Sequence, residues 1–108
     1  MREIVLTDAA DQEMSVLIGS ATVTFRFRFM DILKRWVFDL KIGDSWVLHG
    51  RAIFLRQDLL EPFEFGIGRL VAWDYTDRRP YPGRTELPKR EVRLFLVSDT
   101  DMTEIADA

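Results

Sequence analysis

The chain has 108 residues and a mass of 12.7 kDa, which suits one ordinary domain and excludes most multidomain enzymes. Its hydrophobic fraction is 47% and its charged fraction 31%, with 15 Lys and Arg against 18 Asp and Glu, so the chain is neither disordered nor strongly basic. It has no cysteine and one histidine, His49, which excludes disulfides, thiolate zinc sites and pairs of imidazole ligands. Composition therefore predicts a protein that is not an enzyme and has no cofactor.

The first part of the chain shows two short apolar segments around a polar one. We predict strands at 3–6 and 13–18, separated by the polar segment 8–12. Gly19 and Ser20 are predicted to form the turn that follows, because both residues favour turns. No segment approaches the roughly 20 apolar residues of a membrane span, and the first residues are too few and too acidic for a signal peptide. We therefore expect the protein in the cytoplasm in which it is made.

The clearest alternation of apolar and polar residues lies in segments 22–30 and 36–42. A period of two is typical of a strand with one buried face. The side chains predicted to face the core are Val23, Phe25, Phe27, Phe29, Trp36, Phe38, Leu40 and Ile42. The segment 43–45 is predicted as a turn, and a returning strand begins at Trp46.

The second half of the chain continues with strand and turn signals. In chain order we predict a strand covered on both faces at 53–55, a turn at 57–62, a strand at 65–73, a long loop at 77–84 and a last strand at 92–97. No window holds three turns of amphipathic helix. The sequence therefore predicts an all-β fold, a small barrel or sandwich of about seven mostly antiparallel strands. We expect one β domain at 1–98 and an acidic C-terminal tail at 99–108.

Keeping the apolar faces together also predicts which residues lie opposite each other. The predicted pairs are Phe29 with Phe38, Phe27 with Leu40, Phe25 with Ile42, Ile42 with Trp46 and Leu40 with Leu48. This register places Arg28 opposite Asp39 and Asp39 opposite His49. The prediction is a polar ladder of Arg28, Asp39 and His49 on the outer face, in which Asp39 and His49 form an ordinary surface pair.

Two patterns resemble reactive or metal-binding sites but lack essential parts. His49 lies close to Ser45 in the sequence, yet no nucleophile elbow is present to place the hydroxyl on the imidazole beside an oxyanion hole. Asp99 and Asp101 have the spacing of calcium ligands, but Glu104 stands where the calcium loop needs glycine. We therefore predict no catalytic residue and no metal site.

Charge is distributed unevenly along the chain. Residues 1–24 contain one Arg against four acids, residues 25–35 four bases against one acid, and residues 94–108 four acids and no base. Twelve of the fifteen bases are Arg, which binds carboxylates through two parallel hydrogen bonds and is favoured at interfaces. Such a chain can bind neighbours through complementary patches. The predicted interface residues are Arg26, Arg28, Arg78, Arg79, Tyr81, Arg84, Asp99 and Asp101.

A different function remains open at this point. Small β-barrels bind single strands with aromatic and cationic side chains, and Arg alternates with Phe at 24–29. Alternation along a strand, however, sends Arg26 and Arg28 to one face and the phenylalanines to the other, and a net charge of −3 disfavours phosphate binding. A small β-barrel that binds single-stranded nucleic acid or an oligosaccharide is therefore the alternative hypothesis.

A series of short motifs along the chain resembles a known family. In order they are Ile4-Val5-Leu6-Thr7, Asp11-Gln12-Glu13-Met14, Phe25-Arg26-Phe27-Arg28, Trp36-Val37-Phe38-Asp39-Leu40, Gly50-Arg51-Ala52-Ile53, Asp58-Leu59-Leu60 with Phe63, and Arg93-Leu94-Phe95. Their order and spacing, from Ile4 to Val97, resemble the small plug proteins of contractile bacteriophage baseplates.

The resemblance implies an all-β structural protein of the phage tail that performs no chemistry. It also implies assembly, in multiple copies, with other tail or baseplate proteins such as tube, hub or wedge components. On this basis we expect a virion protein of the tail baseplate that is present in the host cytoplasm during assembly. Neither a membrane nor a nucleic acid is an expected partner.

Overall fold

The computed structural model describes residues 2–18, 20–61, 66–74 and 82–97. Within these ranges the chain forms seven strands and no helix, so no helix there could cross a membrane. The strands are β1 (Arg2–Ile4), β2 (Asp11–Ile18), β3 (Ala21–Met30), β4 (Arg35–Ile42), β5 (Ser45–Ala52), β6 (Arg69–Asp74) and β7 (Val92–Val97). The predicted all-β fold is confirmed.

The strands form two sheets that face each other. One is a four-stranded meander in the order β2-β3-β4-β5, and the other is a three-stranded sheet in the order β1-β7-β6. Each pair of neighbouring strands is antiparallel, and a single parallel bridge joins Leu55 to Ala72. Of the two predicted architectures, the fold is the sandwich and not a closed barrel.

Aromatic side chains from β3 and β4 form the centre of the core between the sheets. Phe25, Phe27, Phe38 and Trp36 are fully buried. The ring centres of Phe25 and Phe27 lie 5.7 Å apart, and that of Phe38 lies 6.4 and 6.5 Å from them. Such rings remove large apolar areas from water, which stabilises a small domain without metals or bridges. The predicted inward face of both strands is confirmed.

The β3–β4 hairpin differs from the predicted register by two residues. The observed pairs are Phe29 with Trp36, Phe27 with Phe38 and Phe25 with Leu40. The cause is a four-residue turn at 31–34, in which Lys34 has a φ of +53°. Because the shift is two residues, every side chain keeps its predicted face. Arg26, not Arg28, therefore lies directly opposite Asp39.

The turn between β4 and β5 is shorter than predicted. It contains only Gly43 and Asp44, and Gly43 takes the positive φ of +61° that favours glycine at this place. Leu40 lies opposite Leu48 as predicted, but Trp46 lies opposite Lys41 and not opposite Ile42. Trp46 therefore belongs to the outer face of the sheet, where its ring is partly exposed.

A β-bulge interrupts β5 beside Asp39. Leu48 pairs with Leu40 and Arg51 with Phe38, so both His49 and Gly50 stand against the single residue Asp39. Gly50 has a φ of +62°, a conformation that most other residues adopt only with strain. The bulge turns the backbone N–H of Gly50 toward the carboxylate of Asp39.

Several segments in or near the three-stranded sheet differ from their predicted bounds. Residues 53–55 form no strand of their own, and the predicted strand 65–73 begins only at Arg69 within the described residues, after positive φ angles at Gly66 and Gly68. The strand predicted at 92–97 is confirmed. The strand predicted at 3–6 ends at Ile4 and pairs with β7. Most of the predicted loop at 77–84, and the tail at 99–108, lie outside the described residues.

Candidate interaction surface

The predicted interface residues divide into two groups. Arg26, Arg28 and Arg84 belong to the described part of the chain. The others lie outside the described residues, and they are Arg78, Arg79, Tyr81, Asp99 and Asp101. The three described arginines each bind a carboxylate of this same chain.

Arg26 projects from the outer face of β3 and binds Asp11 of β2 through two hydrogen bonds. Its Nε donates to Oδ1 at 3.1 Å and its Nη2 to Oδ2 at 2.8 Å. These hydrogen bonds, followed by the attraction between the charges, lower the pKa of Asp11 and raise that of Arg26. Both side chains remain largely exposed, so the pair lies at the surface with its geometry fixed.

Arg28 binds Asp39, but not in the predicted geometry. Its Nη2 donates to Oδ1 of Asp39 at 3.0 Å along a diagonal of the sheet, and the N–H of Gly50 donates to the same oxygen at 2.7 Å. Asp39 is only 5% exposed. The predicted surface pair of Asp39 with His49 is wrong, since the bulge presents the Gly50 backbone to the carboxylate and leaves His49 exposed beside the Trp46 ring.

The outer face of the four-stranded sheet is shielded from solvent around Asp39. Val37 and Thr24 are both buried there, although alternation alone predicts that this face is solvated. The hydroxyl groups of Thr24 and Ser15 lie 2.8 Å apart and form a hydrogen bond between β2 and β3. Buried polar groups that are hydrogen-bonded in this way hold a sheet in one register.

Arg84 joins a distant part of the chain to the loop before β2. Its Nη1 donates to Oδ1 of Asp8 at 2.9 Å and its Nη2 to the backbone carbonyl of Asp8 at 3.1 Å. Its guanidinium lies 5.7 Å from the ring centre of Trp36. The indole Nε1 of Trp36 donates to the carbonyl of Gly83 at 2.8 Å. The segment around residues 83–84 is therefore fixed against the four-stranded sheet.

The side chain of Gln12 holds together the loop before β2, beside the two acidic residues that bind Arg84 and Arg26. The sequence did not predict this role of Gln12. Its Oε1 accepts from the N–H of Thr7 at 2.8 Å, and its Nε2 donates to the carbonyls of Thr7 and Ala9 at 2.9 Å each. The loop so closed displays Asp8 to Arg84, and Asp11 follows it. The spacing of Gln12 from Met14 and Val16 was one signal, because extending the predicted strand by one residue places Gln12 on the core face, where a polar group needs partners.

Three partly exposed aromatic rings each have a cationic side chain over one face. The pairs, with distances from the cationic centre to the ring centre, are Arg35 on Phe54 at 4.4 Å, Lys41 on Trp46 at 5.6 Å and Arg56 on Trp73 at 4.7 Å. Trp73 belongs to the three-stranded sheet and Trp46 to the other, so these rings do not form one track along which a single strand could stack.

Among the described residues, no arrangement of side chains matches the active site of a recognisable enzyme. No group of three or more His, Asp or Glu side chains among them is placed to hold a metal ion. Asp39, the buried carboxylate, is bound by an arginine and a backbone N–H. The arrangement fixes the shape and charge of a surface, which is what a packing function requires.

Comparison with known proteins agrees with this description. The chain matches the family described as cyanophage baseplate Pam3 plug gp18 over residues 1–100, whereas none of the curated proteins matches it. That family is structural and not enzymatic, and it confirms the resemblance seen in the sequence motifs. The chain therefore belongs to the cyanophage baseplate Pam3 plug gp18 family and is an all-β structural component of the phage tail baseplate.

Proposed function

We propose that the chain is a plug of a contractile tail that lies close to the hub and acts only by packing against neighbouring subunits. The observation on which this proposal depends is the family match over residues 1–100. Tube, hub or wedge proteins are its proposed neighbours, and several copies enter each assembly. The sandwich with its paired outer charges supports this role, because a surface of fixed shape loses little entropy on binding.

Arg26 and Arg28 are the proposed centre of the polar contacts. A guanidinium has five N–H donors, and Arg26 uses two of them on Asp11. The Arg26 side chain is 42% exposed, and its guanidinium, held by Asp11, suits a further carboxylate from a neighbour. Arg28 holds the adjoining part of the same face through Asp39.

The other proposed contacts are the loop from Arg78 to Arg84 and the acidic tail with Asp99 and Asp101. Arg84 already joins the end of that loop to Asp8, which brings this end of the loop beside the Asp8 segment. The carboxylates of the tail are proposed to meet basic groups of a neighbour on assembly.

A complementation experiment tests this proposal. A parent phage that lacks the gene receives the wild-type chain or a variant, and the chain is quantified by mass spectrometry in purified tails. The wild-type chain should be present in the tails, and its absence from them would reject the proposed function. The double exchange Asp11→Arg with Arg26→Glu keeps an ion pair but inverts its polarity, and should lower incorporation.

The control for that exchange is a second ion pair, which joins Glu3 of the other sheet to Arg90 in the turn before β7. Exchanging Glu3→Arg with Arg90→Glu should leave incorporation at the wild-type level. Equal incorporation of both exchanged chains would remove Arg26 from the proposed interface while leaving the structural role in place.

The second candidate is binding of single-stranded nucleic acid or an oligosaccharide. The exposed Trp46 beneath Lys41 is the observation that favours it, since base and sugar rings stack on such groups. Titration of tryptophan fluorescence with oligo-dT and with a glucose oligomer tests it. We expect no saturable change, whereas binding in the micromolar range that weakens with salt would favour nucleic acid.

A further inference from the structure

The turn between β3 and β4 exposes apolar side chains that the fold does not use. Ile32 is 95% exposed and Leu33 58% exposed, and both stand at the end of the hairpin. Neither residue belongs to the core, so neither side chain contributes burial to the stability of the isolated chain. We call residues 30–35 the hairpin tip.

Two more exposed apolar side chains lie in and beside the hairpin tip. Met30 is 37% exposed and pairs with Arg35, whose guanidinium lies 4.4 Å from the ring centre of Phe54. Phe54 is itself 39% exposed. Isolated exposed apolar residues are common on protein surfaces, but several of them at and beside one turn are typical of a protein contact.

The hairpin tip is also short. It contains the four-residue turn 31–34, in which Lys34 has a φ of +53°, between strands of ten and eight residues. A short turn loses less conformational entropy than a long loop when a partner encloses it. Ile32 and Leu33 are therefore presented in a conformation that a matching cavity can bind.

We propose that the hairpin tip inserts into an apolar socket, rimmed by carboxylates, on a neighbouring protein subunit of the baseplate. This inference rests on the proposed function and names one of its contacts. The tip has two cations, Lys34 and Arg35, against one acid, Asp31, so an acidic rim complements its charge. Two copies meeting tip to tip would bring like charges together, which disfavours a second copy as the occupant.

A lipid bilayer fits the hairpin tip less well than a protein does. Asp31 lies between Met30 and Ile32, so a carboxylate would enter the membrane interface together with the apolar side chains. The net charge of −3 on the chain also repels an anionic lipid surface. A protein socket can instead place a donor beside Asp31 while it encloses Ile32 and Leu33.

The test uses full-length chain in the parent phage that lacks the gene. The variant Ile32→Ser with Leu33→Ser should be incorporated into tails at a level at least about tenfold lower than wild type, because two buried aliphatic contacts are lost. The control is Val5→Ser with Leu17→Ser, which removes two exposed apolar side chains elsewhere and should be incorporated normally. Both variants should keep the wild-type melting temperature.

A photoreactive benzoylphenylalanine at position 32 supplies a second measurement that does not depend on variant folding. In functional tails it should cross-link to one baseplate protein, at a peptide containing apolar and acidic residues. Cross-linking to a second copy of this chain, or tip-dependent sedimentation with vesicles of phosphatidylglycerol and phosphatidylethanolamine, would overturn the proposal. Equal incorporation of the tip variant would also overturn it, while wild-type chain in the same tails would leave the proposed function standing.

Discussion

Arg28 and Asp39 form an ion pair although they are not opposite each other in the sheet. Val37 lies opposite Arg28, and Arg26 lies opposite Asp39, so the contact runs diagonally between β3 and β4. The carboxylate is buried, whereas about a third of the arginine side chain is exposed. The pair therefore closes the centre of the outer face and leaves part of the arginine side chain at the surface.

Replacing Arg28→Met should lower the free energy of unfolding by about 2 kcal/mol, because a buried carboxylate then keeps only the N–H of Gly50. Asp39→Asn should cost less after Arg28→Met than in the wild-type chain. Urea denaturation of both single variants and the double variant measures this coupling. Arg26→Met, at an exposed pair, is the control and should cost clearly less; strictly additive losses at Arg28 and Asp39 would contradict the contact.

Trp36→Phe should lower the free energy of unfolding by about 1–2 kcal/mol, because the carbonyl of Gly83 loses its indole donor in a buried place. The loss should be local as well, so amide hydrogen exchange should accelerate in residues 83–90. Trp46→Phe is the matched control, since the Trp46 ring is partly exposed and lies on the outer face. Unchanged exchange in 83–90 after Trp36→Phe would show that this hydrogen bond does not hold the segment.

Arg90 has a φ of +63° at the end of a hydrogen-bonded turn, where the N–H of Glu91 donates to Glu86 and that of Arg90 to Leu87. Glycine usually occupies such a position. Arg90→Ala and Arg90→Gly both remove the hydrogen bonds to Glu3, but only glycine relieves the backbone strain. The glycine variant should melt about 4 °C above the alanine variant in a thermal scan. An equal or lower melting temperature would mean that the strain is negligible.

Two carboxylates, Glu3 and Asp11, should make the protein less stable in acid. Hydrogen bonds from Arg90 lower the pKa of Glu3, and those from Arg26 lower the pKa of Asp11. A lowered pKa in the folded state stabilises the fold above the unfolded pKa, near 4, and this contribution is lost as the pH falls through the folded pKa. The melting temperature should therefore decrease as the pH is lowered below about 4.

Glu3→Gln tests this assignment because it removes one of the two groups. The melting temperature of that variant should depend less steeply on pH below about pH 4 than that of the wild type. Asp44→Asn, in the exposed turn between β4 and β5, is the control and should retain the wild-type slope. Identical slopes for Glu3→Gln and wild type would contradict the role of Glu3.

The sequence predicted the buried face of β3 and β4 because a period of two directly encodes which side chains point inward. It did not predict the register, since the length of the turn depends on the backbone of Lys34, and no glycine marks its positive φ. It also did not predict that Asp39 is buried. That depends on the bulge at Gly50, where one extra residue changes what faces the carboxylate.

The sequence predicted the placement of the surface arginines only where their carboxylate partners lie on neighbouring strands. Alternation placed Arg26 and Arg28 on one outer face, and the structure has them there, each bound to a carboxylate. The contact of Arg84 with Asp8 joins residues 76 positions apart, which local patterns do not encode. The sequence did not predict that Ile32 is exposed. Isoleucine is usually buried, and the residue type does not show that a short turn displays it.

The order of the strands also determines when each sheet can form during synthesis. The four strands of the meander follow one another along the chain, so each can pair as soon as it emerges from the ribosome. β7 is the middle strand of the other sheet, and β1 and β6 both wait for it. A chain interrupted before Val92 therefore leaves one side of the core uncovered, which makes it a target for proteases.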